Sequence, residues 1–180
     1  MMPTSPTLHW FALKVFYNKV FDVEARLQQY LVETYVPCET VLVEHKGVKK
    51  KIRKPAIASL LFFRSTERHA LELQRLFDGR VMLYTMMRDQ KRCPAIISEQ
   101  EMNVFMLVSS SGQQGLDYLG DDKVEYHTGE HVRVIDGPFK GAEGYIRRIK
   151  GDRRLVVSVQ GVCAVATSYI PRCFLQKVEE

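Results

Sequence analysis

Residues 129–146 read GEHVRVIDGPFKGAEGYI, with Gly129, Gly137, Gly141 and Gly144 set among alternating apolar residues. Glycine supplies positive φ at tight turns and lets two backbones approach where a bent strand crosses another. The stretches that follow, GYIRRI, LVVSV and VCAVAT, are short and rich in β-branched residues, and the turn signals KGDRR and QG separate them. A module of about 50 residues with strands this short buries a core only by curling into a small barrel. The glycines are its corners.

Upstream, residues 109–126 read SSSGQQGLDYLGDDKVEY, with four acidic residues against Lys123 alone. The formal charge runs +5 over 1–108, −3 over 109–126 and +3 over 127–180. A polar, acidic segment between two basic modules has the composition of a linker. The expected organisation is therefore a first domain over 8–108, a linker over 109–126 and a barrel over 127–180.

The first domain alternates strand and helix patterns. LHWFALKVF (8–16) is a strand-like apolar run, and Val20, Val23, Leu27, Tyr30 and Leu31 then recur at helical spacing. CETVLVEH (38–45) alternates, a basic tip follows, and AIASLLFF (56–63) has the pattern of a buried strand. Residues 65–77 predict a helix stopped by Gly79, VMLYTMM (81–87) a strand, and Ser98 with Glu101 a capping box opening a last helix. The order predicts an α+β chain: a ferredoxin-like split β-α-β domain followed by a small β-barrel.

Composition narrows the function classes. The chain has 180 residues, a net charge of +5 and a pI near 9.0, a bias compatible with a nucleic-acid partner. Cys38, Cys93, Cys163 and Cys173 form no CxxC pair, and no apolar run approaches the ~18 residues needed to span a bilayer. The expectation is a cytoplasmic monomer with reduced thiols and no membrane partner. His127 and His131 have HxxxH spacing without further ligands, which is poor evidence for a metal. No phosphate-binding loop, nucleophile elbow or zinc-protease motif occurs, so neither a cofactor nor an enzyme is expected.

GEHVRVIDGPFKGAEGYIRRI resembles the KOW motif, which implies that the barrel is SH3-like, and HWFALKVF, YVP (35–37) and CPAIISEQEM (93–102) resemble the N-terminal (NGN) domain of the NusG family of transcription elongation factors. Where that family has F-P-G-Y, this chain has Ala56, Ile57, Ala58 and Ser59. This variant, together with Val165, Ala166, Thr167, Tyr169, Ile170 and Pro171, resembles the specialised UpxY-type branch, antiterminators of capsular or exopolysaccharide operons. The resemblance implies docking on the clamp helices of RNA polymerase through Trp10, Phe11, Ala56, Ile57 and Ser59, with Phe105 added from the last helix. It also implies non-template DNA contacts from Lys14, Tyr17, Lys19 and Arg26, and from Lys49, Lys50, Lys51 and Arg53 of the basic tip. Phe139, Arg147 and Arg148 are the expected contacts of the KOW domain with a ribosomal protein or Rho. The alternatives are a housekeeping NusG coupling polymerase to Rho or the ribosome, and a ribosomal or RNA-binding KOW protein.

Overall fold

The computed structural model describes residues 6–120 and 129–179. Residues 1–5 of the expected tail, 121–126 of the expected linker and His127 lie outside the described residues. Two compact units divide the chain, Met1–Glu99 and Gln100–Glu180.

The first unit opens with β1 (His9–Val15), α1 (Val20–Gln29), β2 (Glu33–Tyr35), β3 (Cys38–His45) and β4 (Val48–Pro55). It continues with β5 (Leu60–Ser65), α2 (Glu67–Leu76), β6 (Val81–Leu83), β7 (Thr85–Arg88) and β8 (Lys91–Pro94). A four-stranded antiparallel sheet has the order β2-β5-β1-β6, with Phe11 opposite Phe63 and Leu13 opposite Leu61. On that face Phe11, Leu13, Val15, Leu61 and Phe63 pack in one core with Val20, Val23 and Leu27 of α1 and Ala70 and Leu73 of α2. Each such side chain, fully buried, contributes about 1.5–3 kcal/mol. The opposite face of β1 and β5 is buried as well, at Trp10, Ala12, Leu60 and Phe62. That is why both strands are apolar runs without alternation.

Several elements differ from the sequence expectation, each for a local reason. Helix α1 ends at Gln29, because Leu31 adopts φ +58° and is 95% exposed, and Val32 re-enters the core instead. The basic tip is mostly strand: β4 pairs along its whole length with β3 across the two-residue turn Lys46–Gly47, both at positive φ. Residues 56–59 form a turn, with the Leu60 N–H donating to the Ile57 carbonyl at 3.2 Å. The single strand expected over 81–87 breaks at Tyr84, beyond which β7 leaves the sheet and pairs with β8 around Asp89–Gln90. Helix α2 starts as its sequence dictates, with the Thr66 hydroxyl accepting from the His69 N–H at 3.2 Å.

The second unit takes in nearly all of α3 (Glu99–Ser109), together with β9 (Asp117–Leu119), β10 (Glu130–Val134), β11 (Glu143–Ile149), β12 (Asp152–Val159), β13 (Cys163–Tyr169) and β14 (Leu175–Lys177). Helix α3 is tied into this unit by the Gln160 N–H donating to Glu101 Oε1 at 3.2 Å and the Tyr118 hydroxyl donating to the Ser109 carbonyl at 3.4 Å. The six strands form an antiparallel sheet in the order β14-β10-β11-β12-β13-β9. Strand β12 carries a register shift between Arg154 and Val156 that bends it. Gly144 marks a close crossing, since a Cβ there would lie well inside contact distance of the Val156 carbonyl oxygen. The whole chain is thus a mixed α+β fold with a β-rich second part.

Candidate nucleic-acid interface

The passage from β1 to α1 is a strained point in the first unit, as is the Asp89–Gln90 turn. Tyr17 and Asn18, neither of them glycine, both sit in the left-handed region at φ +61° and +53°. Left-handed backbone costs an L-residue on the order of 1–2 kcal/mol. The turn is held by the Phe16 N–H donating to the Arg80 carbonyl at 2.9 Å, and it throws the Tyr17 ring into solvent, 81% exposed. Strain of this kind concentrates at functional sites.

Beside Tyr17 lies a cleft of about 440 Å³. Phe16, Tyr17 and Phe77 supply aromatic walls, Lys19, Arg26 and Arg80 supply three cations, and Val23 and Asp22 complete the lining. The Arg26 guanidinium lies 5.2 Å from the Phe77 ring centroid, while Lys19 pairs with Asp22 at 3.0 Å. With Asp22 the only acid of that lining against three cations, the cleft keeps a net positive charge; Phe77 is buried under Arg26, and the exposed Tyr17 ring is the face of the type that stacks on bases. Phe77 and Arg80 had no signal of their own in the sequence. Phe77 is the last residue of the helix predicted over 65–77, and Arg80 follows the glycine that stops it.

The hairpin β3–β4 is the second basic element. Lys49, Lys50, Lys51 and Arg53 are all exposed along β4. Among the described residues no ion pair holds Lys49, Lys50 or Lys51, and only Lys54 is paired, with Glu39 at 3.0 Å. Arg53 stacks over the Phe21 ring at 5.1 Å, which packs the hairpin base against α1. Lys19 caps α1, and Arg26 and Phe21 lie on it, so α1 links the two basic elements.

The expected polymerase-docking residues separate. Phe11 is fully buried in the core and Trp10 is 2% exposed, so neither presents a surface to a partner. Ala56, Ile57 and Ser59 are half-buried in the turn at the other end of β1, where the Ser59 carbonyl accepts from the Val15 N–H at 2.7 Å. Trp10 opposes Arg64 whereas Lys14 opposes Leu60, which puts the two groups about 13 Å apart along the strand. Lys14 is exposed and shares the Ile57 end, with Met82 opposite it in register and itself exposed. Phe105 is fully buried in α3.

In the second unit Phe139 is only 3% exposed, a packed turn residue, while Arg147 is half-buried and Arg148 exposed. Arg147 opposes Arg154 and Arg148 opposes Arg153, so the basic residues of this hairpin divide between two faces. His131 stacks on Tyr145 at 4.8 Å, and its Nε2 lies 3.0 Å from Glu143. Cys38 donates to the Val36 carbonyl at 3.2 Å, and burial pushes its thiol above the usual range, which favours the protonated form.

A family model described as "Transcription termination factor nusG" matches residues 8–110, more than half of the chain. The chain belongs to the NusG family. Members of this family are transcription factors that act with RNA polymerase. Among solved structures, one described as "Domain interaction in Thermotoga maritima NusG" matches at 14% identity and a TM-score of 0.48, covering 96% of this chain and 98% of that one. No curated protein matches the chain.

Proposed function

We propose that this NusG-family chain is an antiterminator of the specialised kind, which binds the polymerase clamp helices and suppresses pausing or termination at polysaccharide operons. The observation that carries the reading is the pair Tyr17–Asn18, whose strained backbone exposes an aromatic ring on the rim of a cationic cleft. Such a cleft suits exposed single-stranded DNA: each base stacked on an aromatic contributes about 1–3 kcal/mol, and Lys or Arg in reach of phosphates adds a salt-dependent term. The hairpin β3–β4 extends that basic surface by three exposed lysines that form no ion pair among the described residues.

Docking falls to the Ile57 turn and its neighbours at that end of β1, including Met82, rather than to Trp10, Phe11 or Phe105. A factor that binds both the clamp and the DNA favours the closed, processive complex and draws population away from paused states. No bond is made or broken, so no catalytic group is required. The assignment to polysaccharide operons rests on the Ala56–Ser59 variant and the Val165–Pro171 ending. In the barrel, Arg148 is the exposed member of the expected set for a ribosomal protein or Rho, with Phe139 shaping the turn from inside.

The test is transcription by the host polymerase through a terminator placed behind a polysaccharide-operon leader. Read-through is expected to rise with the wild-type chain. It is expected to be lost with Ile57→Asp, since a carboxylate in an apolar contact costs about 3 kcal/mol, on the order of 100-fold in affinity. Polymerase binding without any read-through overturns the antiterminator reading in favour of a housekeeping factor.

A further inference from the structure

Strand β9 lies in the acidic segment between the two basic modules, yet it is seated on the second sheet. Asp117, Tyr118 and Leu119 pair with Ala166, Val165 and Ala164 of β13. Leu119 packs on Val156, Ala164 and Ala166, with Ile149 beside them. The two alanines, fully buried and in register, leave the depth that a branched aliphatic side chain fills. Two residues away, the Asp117 carboxylate accepts from Lys150 Nζ at 2.9 Å and from Arg154 Nη1. We propose that this face of β11, β12 and β13 is a receptor for an extended segment with a carboxylate followed two residues later by a branched aliphatic. The chain's own 117–119 holds it in cis, and a strand of the same pattern from a partner protein exchanges for it.

Two observations make the cis occupant replaceable. It is three residues long, against about 5–6 for an average strand, so few contacts hold it. It also leaves its receptor incompletely satisfied. Arg154 is 14% exposed, and its Nε is buried with no acceptor among the described residues, while Asp117 engages only the Nη1 side. A buried donor without a partner costs about 1–3 kcal/mol. A carboxylate on a longer side chain, approaching the guanidinium side-on, would fill Nε and one Nη together. An extended strand with glutamate at that position thus has an advantage over the resident one, and the edge of β13 that β9 vacates supplies the main-chain pairing. The proposal stands on the second unit alone, independent of polymerase and DNA.

The probe is a fluorescein-labelled peptide of residues 114–121, QGLDYLGD, titrated into the full chain and read by anisotropy. Asp117→Ala with Leu119→Ala, which empties the receptor, is expected to bind the peptide at least tenfold more tightly than the wild type. Replacing the peptide's aspartate by alanine, or adding Arg154→Gln to the protein, is expected to cost at least tenfold. Replacing that aspartate by glutamate is expected to improve binding. Circular dichroism checks that the emptied variant is folded; if it is not, ¹⁵N spectra of the wild-type chain with excess peptide decide instead. Shifts centred on Ala164–Ala166 and 117–119 support exchange. No binding to the folded variant, binding indifferent to Arg154 and to the peptide carboxylate, or shifts elsewhere would overturn it.

Discussion

Hairpins β3–β4 and β11–β12 are built alike and paired differently. Each turns on two residues at positive φ, Lys46–Gly47 in one and Lys150–Gly151 in the other, and each carries a dense run of cations. In β11–β12, among the described residues, three of the five cations are ion-paired inside the unit: Lys150 and Arg154 share Asp117, and Arg153 reaches Glu130 at 3.4 Å. In β3–β4 Lys49, Lys50 and Lys51 face solvent along a ribbon with hardly a buried residue. Charge density alone therefore does not mark a nucleic-acid surface. What distinguishes the two is whether acids of the same fold already occupy the cations, and only the unoccupied ones gain from releasing phosphate counterions.

The largest expected effect separates the hairpins by their role in stability. Gly144→Ala drives a Cβ into the Val156 carbonyl and forces β11 away from β12, an expected loss of about 3 kcal/mol or more in denaturant unfolding of the second unit. Gly47→Ala meets nothing within 4 Å and only forces alanine to φ +78°, about 1 kcal/mol. Equal effects would mean that β3–β4 is as much a part of its unit's packing as β11–β12. Next comes charge reversal at Lys49, Lys50 and Lys51. Neutralising about three phosphate contacts on a single strand lowers the slope of log K against log salt by about 2, whereas Lys150→Gln with Arg154→Gln leaves it unchanged. Filter binding to single-stranded DNA over a salt series measures both, and identical slopes remove the distinction.

Much of this was legible before any coordinates. The α1 and α2 stripes, the apolar runs of β1 and β5 and the short glycine-punctuated strands of the second part follow from periodicity and turn chemistry. What escaped were features fixed by tertiary partners. Asp117–Leu119 looked like linker because serine, glycine and acids surround it, and only the receptor face of β13 makes it a strand. Trp10 and Phe11 carried a docking expectation, yet β1 is central in its sheet and both faces are covered, so they are core. The left-handed Tyr17–Asn18 pair gave no signal, since no glycine announces it. The cationic cleft was half visible: Lys19 and Arg26 stood out, while Phe77 and Arg80 join them only once α2 folds back on β1.

Tyr17→Gly tests whether that strain serves binding. Glycine takes φ +61° without the steric cost, so thermal stability of the first unit is expected to rise slightly, by no more than about 1 kcal/mol. Affinity for single-stranded DNA is expected to fall by about 1–2 kcal/mol as one stacking platform disappears. A variant that is both more stable and equally tight would show the exposed ring to be incidental.

The smallest effect is a matter of pH, and it belongs to the neutralised hairpin. The hydrogen bond from Lys150 holds the Asp117 carboxyl below its ordinary value of 3.8 against the opposing cost of burial, with Arg154 assisting. A carboxyl whose value is lowered by folding contributes its full stabilisation above the unfolded value, and loses it as pH falls through the folded one. The anchorage of β9 is therefore constant from neutral pH down to about 4 and weakens only below that. Following the Asp117 carboxyl carbon by NMR, together with the amide shifts of Leu119 and Ala164, should show both moving in one transition below pH 4. If Leu119 leaves Ala164 well above that range, the carboxylate is not what holds the strand. The β3–β4 ribbon carries carboxylates of its own, Glu39 paired with Lys54 and Glu44 opposite Lys49, so the control is the buried core of the first unit, where the amides of Phe11 and Leu61 should keep their shifts across the same titration. Joint movement of that core and of β9 would mean global acid unfolding rather than release of one strand.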